Sequence, residues 1–145
     1  MKTFILLIIS SILLFGCNSG PAPIAYRQEE CVFCKMTIMD PKFGCQIKND
    51  KGKVFNFDDL SCLTSYLKGD ILDTNHLSGI YVPNYLADGE LFAAETAFYV
   101  ASELLRSPMA GNIAAFSNKD SAIALATKLN GKLASWQNIK AIAHE

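Results

Sequence analysis

The chain lacks any block of basic residues, and its 13 Lys and Arg face 14 Asp and Glu. Nucleic-acid binders concentrate positive charge to neutralise phosphates, so the composition excludes that class. It also lacks an apolar run of the about 20 residues that a membrane-spanning helix needs. The run from Phe4 to Phe15, behind Lys2, is shorter and reads as the hydrophobic stretch of a signal peptide. Histidine is scarce, at two residues. His76 sits in a polar segment and His144 beside the C-terminus, so neither is a first choice of ligand. Asp58 and Asp59 form a carboxylate pair with no companion base or nucleophile, and helix capping explains them better than acid–base catalysis. The expectation is a protein that is not an enzyme.

Sulfur is what the chain does concentrate. Cys31-Val-Phe-Cys34-Lys-Met36-Thr-Ile-Met39 gathers two thiols and two thioethers. Both are soft donors, and a mixed set selects Cu(I) over cations that prefer oxygen. Thioether is not among the usual zinc donors. On an extended segment Cys34 and Met36 share a face, and Cys31 joins them only if the chain turns before Cys34. Met109 lies in Arg106-Ser-Pro-Met-Ala-Gly111, a turn-forming stretch that gives a large apolar side chain no regular face to pack from. That makes Met109 a candidate soft ligand delivered from the far half of the chain. Met39 is assigned to the core.

Leu14-Phe15-Gly16-Cys17 resembles a bacterial lipobox, with Cys17 as the lipidated first residue of the mature protein. Acyl chains anchor a protein without a spanning helix. No Asp follows Cys17, so the familiar inner-membrane retention signal is absent. Residues Asn18 to Ala25 contain Gly, Pro and Ser without periodicity, as a tether would. Four cysteines follow it: Cys31, Cys34, Cys45 and Cys62. In an oxidising compartment they also allow three disulfide pairings.

The expected class is α+β, with two related ββαβ units behind a lipoprotein signal and a short tether. Phe43 to Ile47 alternates as a strand with Cys45 on the side of Phe43 and Ile47, a turn carrying Gly52 follows, and Val54 to Phe57 returns. Asp58 or Asp59 caps a helix over Leu60, Leu63 and Leu67 that Gly69 ends, and Gly79 to Val82 is a strand closed by Pro83. Residues Ala93 to Ala101 suit either strand or helix. Ile113 to Phe116 then reads as a strand, a helix runs through Leu129 to Gly131, and Lys132 to Trp136 is a short strand. Val54-Phe-Asn-Phe-Asp-Asp59 aligns with Ile113-Ala-Ala-Phe-Ser-Asn118. The expected division is a signal peptide at 1–16, a lipidated tether at 17–30, and ββαβ units at 31–88 and 89–145.

Cys31-x-x-Cys34-x-Met36, Phe57-Asp-Asp-x-x-Cys62, Pro108-Met109 followed by Ala114-Ala115-Phe116, and the Gly131 to Trp136 end together resemble the NosL lipoproteins. These are accessory proteins of nitrous oxide reductase that act as copper chaperones, and the likeness runs from about Cys31 to Ile142. The resemblance implies a monomer, lipid-anchored in the cell envelope and facing the periplasm. It would hold one Cu(I) for nitrous oxide reductase, its maturation machinery or another exported copper enzyme. The ligands so implied are Cys34, Met36 and Met109, with Cys31 as a further candidate. Two departures stand out: Lys35, where the family usually has glycine, and the added thiols of Cys45 and Cys62.

Two other chemistries compete. An extracytoplasmic thiol–disulfide oxidoreductase could use Cys31 and Cys34, but it needs a lowered thiol pKa, typically at a helix N-terminus. Thr37-Ile38 and Asp40-Pro41 follow the motif instead of a helix. A structural zinc site from Cys31, Cys34, Cys62 and His76 has suitable donors but no close second ligand pair.

Overall fold

A computed structural model describes residues 20–69 and 73–142. The signal stretch, Cys17 and His144 lie outside the described residues.

Strands β1 (Cys45–Asn49) and β2 (Val54–Phe57) form an antiparallel hairpin in which Cys45 faces Phe57 and Ile47 faces Phe55. Its turn uses Gly52 at φ 80°, a left-handed conformation that glycine adopts without a Cβ clash. Helix α1 (Leu60–Lys68) follows, and β3 (Leu77–Pro83) returns antiparallel to the other edge of β1. The short strand β4 (Leu91–Ala93) then adds to β3, so the first sheet runs β2-β1-β3-β4 and extends past residue 88.

The second half repeats the path. Strand β5 (Phe98–Ala101) pairs with β6 (Ile113–Phe116), helix α2 (Lys119–Lys128) follows, and β7 (Lys132–Ala134) pairs with the free edge of β5. The order β6-β5-β7 places the first strand of the unit at the centre, as β1 lies between β2 and β3. The ambiguous Ala93–Ala101 stretch divides into the end of β4, a 3-10 turn over Ala94–Thr96, and β5. Tyr99 makes this a strand: its ring is fully buried and its hydroxyl donates to the Ala94 carbonyl at 2.7 Å.

Strand alternation divides the interior in two. Tyr99 and Ala115 face a main core that also holds Ile38, Ile47, Phe57, Leu63 and Val82. Their neighbours Val100, Ala114 and Phe116 face a smaller core closed by Ala122 and Ala126 of α2. The main core draws on both halves, so neither sheet buries its apolar face alone.

Two expectations change here. Trp136 does not end a strand; it opens a third helix, α3 (Trp136–Ile142), and stacks on Tyr99 at 6.1 Å between ring centroids. Ser135 is the reason, since its hydroxyl accepts from Asn138 N–H and caps the helix. The described part of the expected tether, from Gly20 onward, lies on the domain. Ile24 is buried in the main core. Ala22 exchanges two hydrogen bonds with the buried Gln46 side chain, at 2.8 and 3.0 Å, and Lys48 Nζ donates to Gly20 O at 2.8 Å. No helix among the described residues is long and apolar enough to cross a membrane.

Candidate metal centre

The sulfur-rich motif is a turn rather than a strand. Val32 to Cys34 forms the turn, Lys35 N–H donates to Cys31 O at 3.0 Å, and Cys31 N–H donates to Met36 O at 2.8 Å. Lys35 closes it at φ 64°, where a side chain costs about 1–2 kcal/mol relative to the right-handed basin. The lysine takes the position nonetheless, and its ammonium bonds back to Val32 O at 2.8 Å. Reversal of the chain brings Cys31 to the same side as Cys34.

Cys62 arrives from another element. It sits in the first turn of α1, whose N-cap is Asp59. The Sγ atoms of Cys31, Cys34 and Cys62 all lie within 4.8 Å of one another. The three thiols are graded in depth: Cys31 and Cys62 are buried, and Cys34 is half-buried. The cluster is also electrically graded. The Cys62 thiol donates to Cys31, and with the backbone N–H groups of Cys34, Asp58 and Phe33 it brings the Cys31 thiol down to about 5 against the pull of burial. The donated hydrogen bond and burial push Cys62 up, and burial pushes Cys34 up although Met36 N–H faces it. Of the three thiols, Cys31 is therefore the one whose thiolate form the site favours, through the Cys62 thiol and the N–H donors around it.

Asp59 joins this cluster to the second half. One carboxylate oxygen, Oδ1, accepts Ser61 N–H at 2.9 Å and Cys62 N–H at 3.1 Å, capping α1. The other, Oδ2, accepts Ser107 Oγ at 2.8 Å and Met109 N–H at 3.1 Å. Met109 is half-buried and packs against the core cluster that contains Cys31 and Cys62. Gly111 permits the approach, because a Cβ there would fall 2.0 Å from Ser61 Oγ.

The remaining predicted residues are placed as follows. Met36 has 55% of its surface exposed, and Met39, expected in the core, is 54% exposed. Cys45 is buried outside the three-thiol cluster, its Sγ donating to Phe43 O at 3.1 Å, and burial raises its pKa. His76 is exposed beside Asp50, with 2.9 Å between Nδ1 and Oδ2, and is not in the cluster either, which removes the fourth donor of the zinc set. All four described cysteines are free, so the disulfide pairings are not realised. Asp59 is the cap, while Asp58 is buried with Oδ1 unpartnered and its carboxyl pushed up to about 6 by burial and then by Asp59. The role of Asp59 toward Met109 went unread in the sequence because its partners lie 48 and 50 residues away.

The NosL family profile matches residues 23–143, which is most of the chain. The chain belongs to the NosL family. Its fold is similar to that in the crystal structure of the copper chaperone NosL from Shewanella denitrificans. The TM-score is 0.68 and the identity 24%, over 81% of this chain and 93% of that one. No curated protein sequence matches significantly. The α+β architecture described above is thus a NosL fold, and the three-thiol cluster lies within the matched segment.

Proposed function

We propose that this protein is a copper chaperone that holds one Cu(I) at Cys31, Cys34 and Cys62, with the thioethers of Met109 and Met36 as further ligands, and passes it to an exported copper enzyme such as nitrous oxide reductase. The observation that carries the reading is the convergence of three free thiols from two elements within 4.8 Å. Soft, compact and free of oxygen donors, that set suits Cu(I). The depth gradient suits delivery: Cys31 and Cys62 hold the ion from within, while half-buried Cys34 and exposed Met36 are the ligands a recipient can replace first. Lipidation at Cys17 would keep the carrier at the membrane surface. Because Gly20 is already held by Lys48, only Asn18 and Ser19 would separate the anchor from the domain, a reach of roughly 10 Å.

The structure favours this over disulfide exchange. Cys31 has the low pKa such an enzyme needs, but it is fully buried, and the accessible thiol Cys34 is shifted upward. An attacking thiolate must reach its substrate disulfide.

The test is an anaerobic titration of the reduced full-length chain in detergent with Cu(I) against a competing chelator, with Zn(II) in parallel. One tightly bound Cu(I), weakened by Cys34→Ser and by Met109→Leu, is the expected result. Preference for Zn(II), or indifference to both substitutions, overturns the assignment.

A further inference from the structure

Among the described residues, Asp59 joins two parts of the proposed site that are otherwise remote in sequence. Its Oδ1 holds the amides at the start of α1, including that of Cys62, and its Oδ2 holds Ser107 and the amide of Met109. The molecule contains its own control for what a cap alone requires. Asn118 caps α2 in the repeated unit through Oδ1, accepting Asp120 N–H at 2.8 Å and Ser121 N–H at 3.1 Å. These bonds match Asp59 to Ser61 and Cys62 in kind and length. Asparagine therefore suffices to start the helix at this position of the fold. A carboxylate is required only where the second oxygen must also accept, since an amide NH2 there would point a donor at the Met109 N–H and the Ser107 hydroxyl. Asp59 itself is 1% exposed, so its second oxygen has no water to fall back on.

We infer that Asp59 is a positioning residue that docks the Met109 loop onto the thiol cluster, making thioether ligation conditional on one carboxylate. With Ser107 and Met109 held, Met109 packs against the core cluster that contains Cys31 and Cys62, on the side from which its thioether would join the thiols. When the loop lifts from Oδ2, the ion is left on the cysteines with one side open to a recipient's donors. The loop 102–112 is also where the second hairpin departs from the first, whose turn runs only from 50 to 53. The extra length is what reaches across to α1.

This inference rests on the copper reading, and a double-substitution cycle separates the two. In the reduced full-length chain in detergent, Asp59→Asn and Ser107→Ala are each combined with Met109→Leu, and Cu(I) affinity is measured by chelator competition. The Met109 amide is followed by hydrogen exchange in the metal-free protein. Ser107→Ala leaves the helix cap intact, which keeps the test meaningful if Asp59→Asn folds poorly. The expected result is about tenfold weaker Cu(I) binding for either change when Met109 is present, little further loss when residue 109 is Leu, and faster exchange at the position 109 amide. Equal losses in both backgrounds, or unchanged affinity and exchange in Ser107→Ala, overturn the positioning role while the copper reading stands. A wild-type chain that binds no Cu(I) overturns both.

Discussion

The two halves of this protein share one plan and differ in what they put on it. In the first, β1, β2, α1 and β3 carry Cys62 and Leu63 just after the cap; in the second, β5, β6, α2 and β7 carry Ser121 and Ala122 at the same places. The match is physical as well as topological. Leu63 N–H bonds to Asp59 O at 3.2 Å, and Ala122 N–H bonds to Asn118 O at 3.2 Å. The difference teaches that the frame is independent of the metal chemistry. One copy supplies a thiol on a capped helix, and the other supplies a long hairpin loop that bonds to that helix's cap.

The largest expected effect concerns packing. Leu63→Ala imposes the second half's small residue on the first, removing a fully buried side chain from the main core. It should cost about 2–5 kcal/mol in denaturant unfolding of the metal-free protein. Next comes the site itself. Cys62→Ser gives α1 the residue found in α2 and should weaken Cu(I) by about a hundredfold, or about 2.7 kcal/mol. The reverse change, Ser121→Cys, should create no second site, because the first site needs the Cys31–Cys34 turn facing it. A second Cu(I) equivalent in the titration would contradict that.

A pH series sharpens the comparison further. The Cys31 thiol is lowered to about 5 from 9.0, so between those values the folded chain binds fewer protons than the unfolded one. Stability from this group is present above pH 9 and is lost as pH falls through 5. In the metal-free reduced protein, Cys31→Ser should flatten the rise in unfolding midpoint across that window, and Cys62→Ala should raise the pH at which thiolate absorbance appears. Gly111→Ala should be smaller, weakening Cu(I) by about tenfold through the displaced loop, with Ser61→Ala restoring affinity by removing the oxygen in the way. Smallest is Asn118→Ala, which should cost about 1 kcal/mol of stability and leave Cu(I) affinity unchanged. A matching loss of copper there would break the distinction between the halves.

Much of the frame was legible along the chain. Alternation at Val54 to Phe57, the Asp59 cap, Gly69 after α1 and the repeated Phe-x-Asx before each helix all express short-range rules. Residues with mixed signals were less legible. Lys35 occupies a left-handed position without glycine to mark it, so the choice between an extended Cys31 motif and a turn before Cys34 stayed open, and Trp136 read as strand because its helix depends on a serine cap and on stacking with distant Tyr99.

The sequence by itself determined the donor chemistry, since soft sulfur ligands and their spacing in Cys31-x-x-Cys34-x-Met36 are properties of composition and order. It also determined where α1 and α2 begin, because their caps at Asp59 and Asn118 are local. Only the tertiary structure decided which thiols share a site. Cys62 enters and Cys45 stays out through the docking of α1 on the turn, and the position of Met109 depends on a carboxylate 50 residues earlier in the chain. Contacts of that separation are selected by packing both halves around one core, a choice that no local pattern encodes.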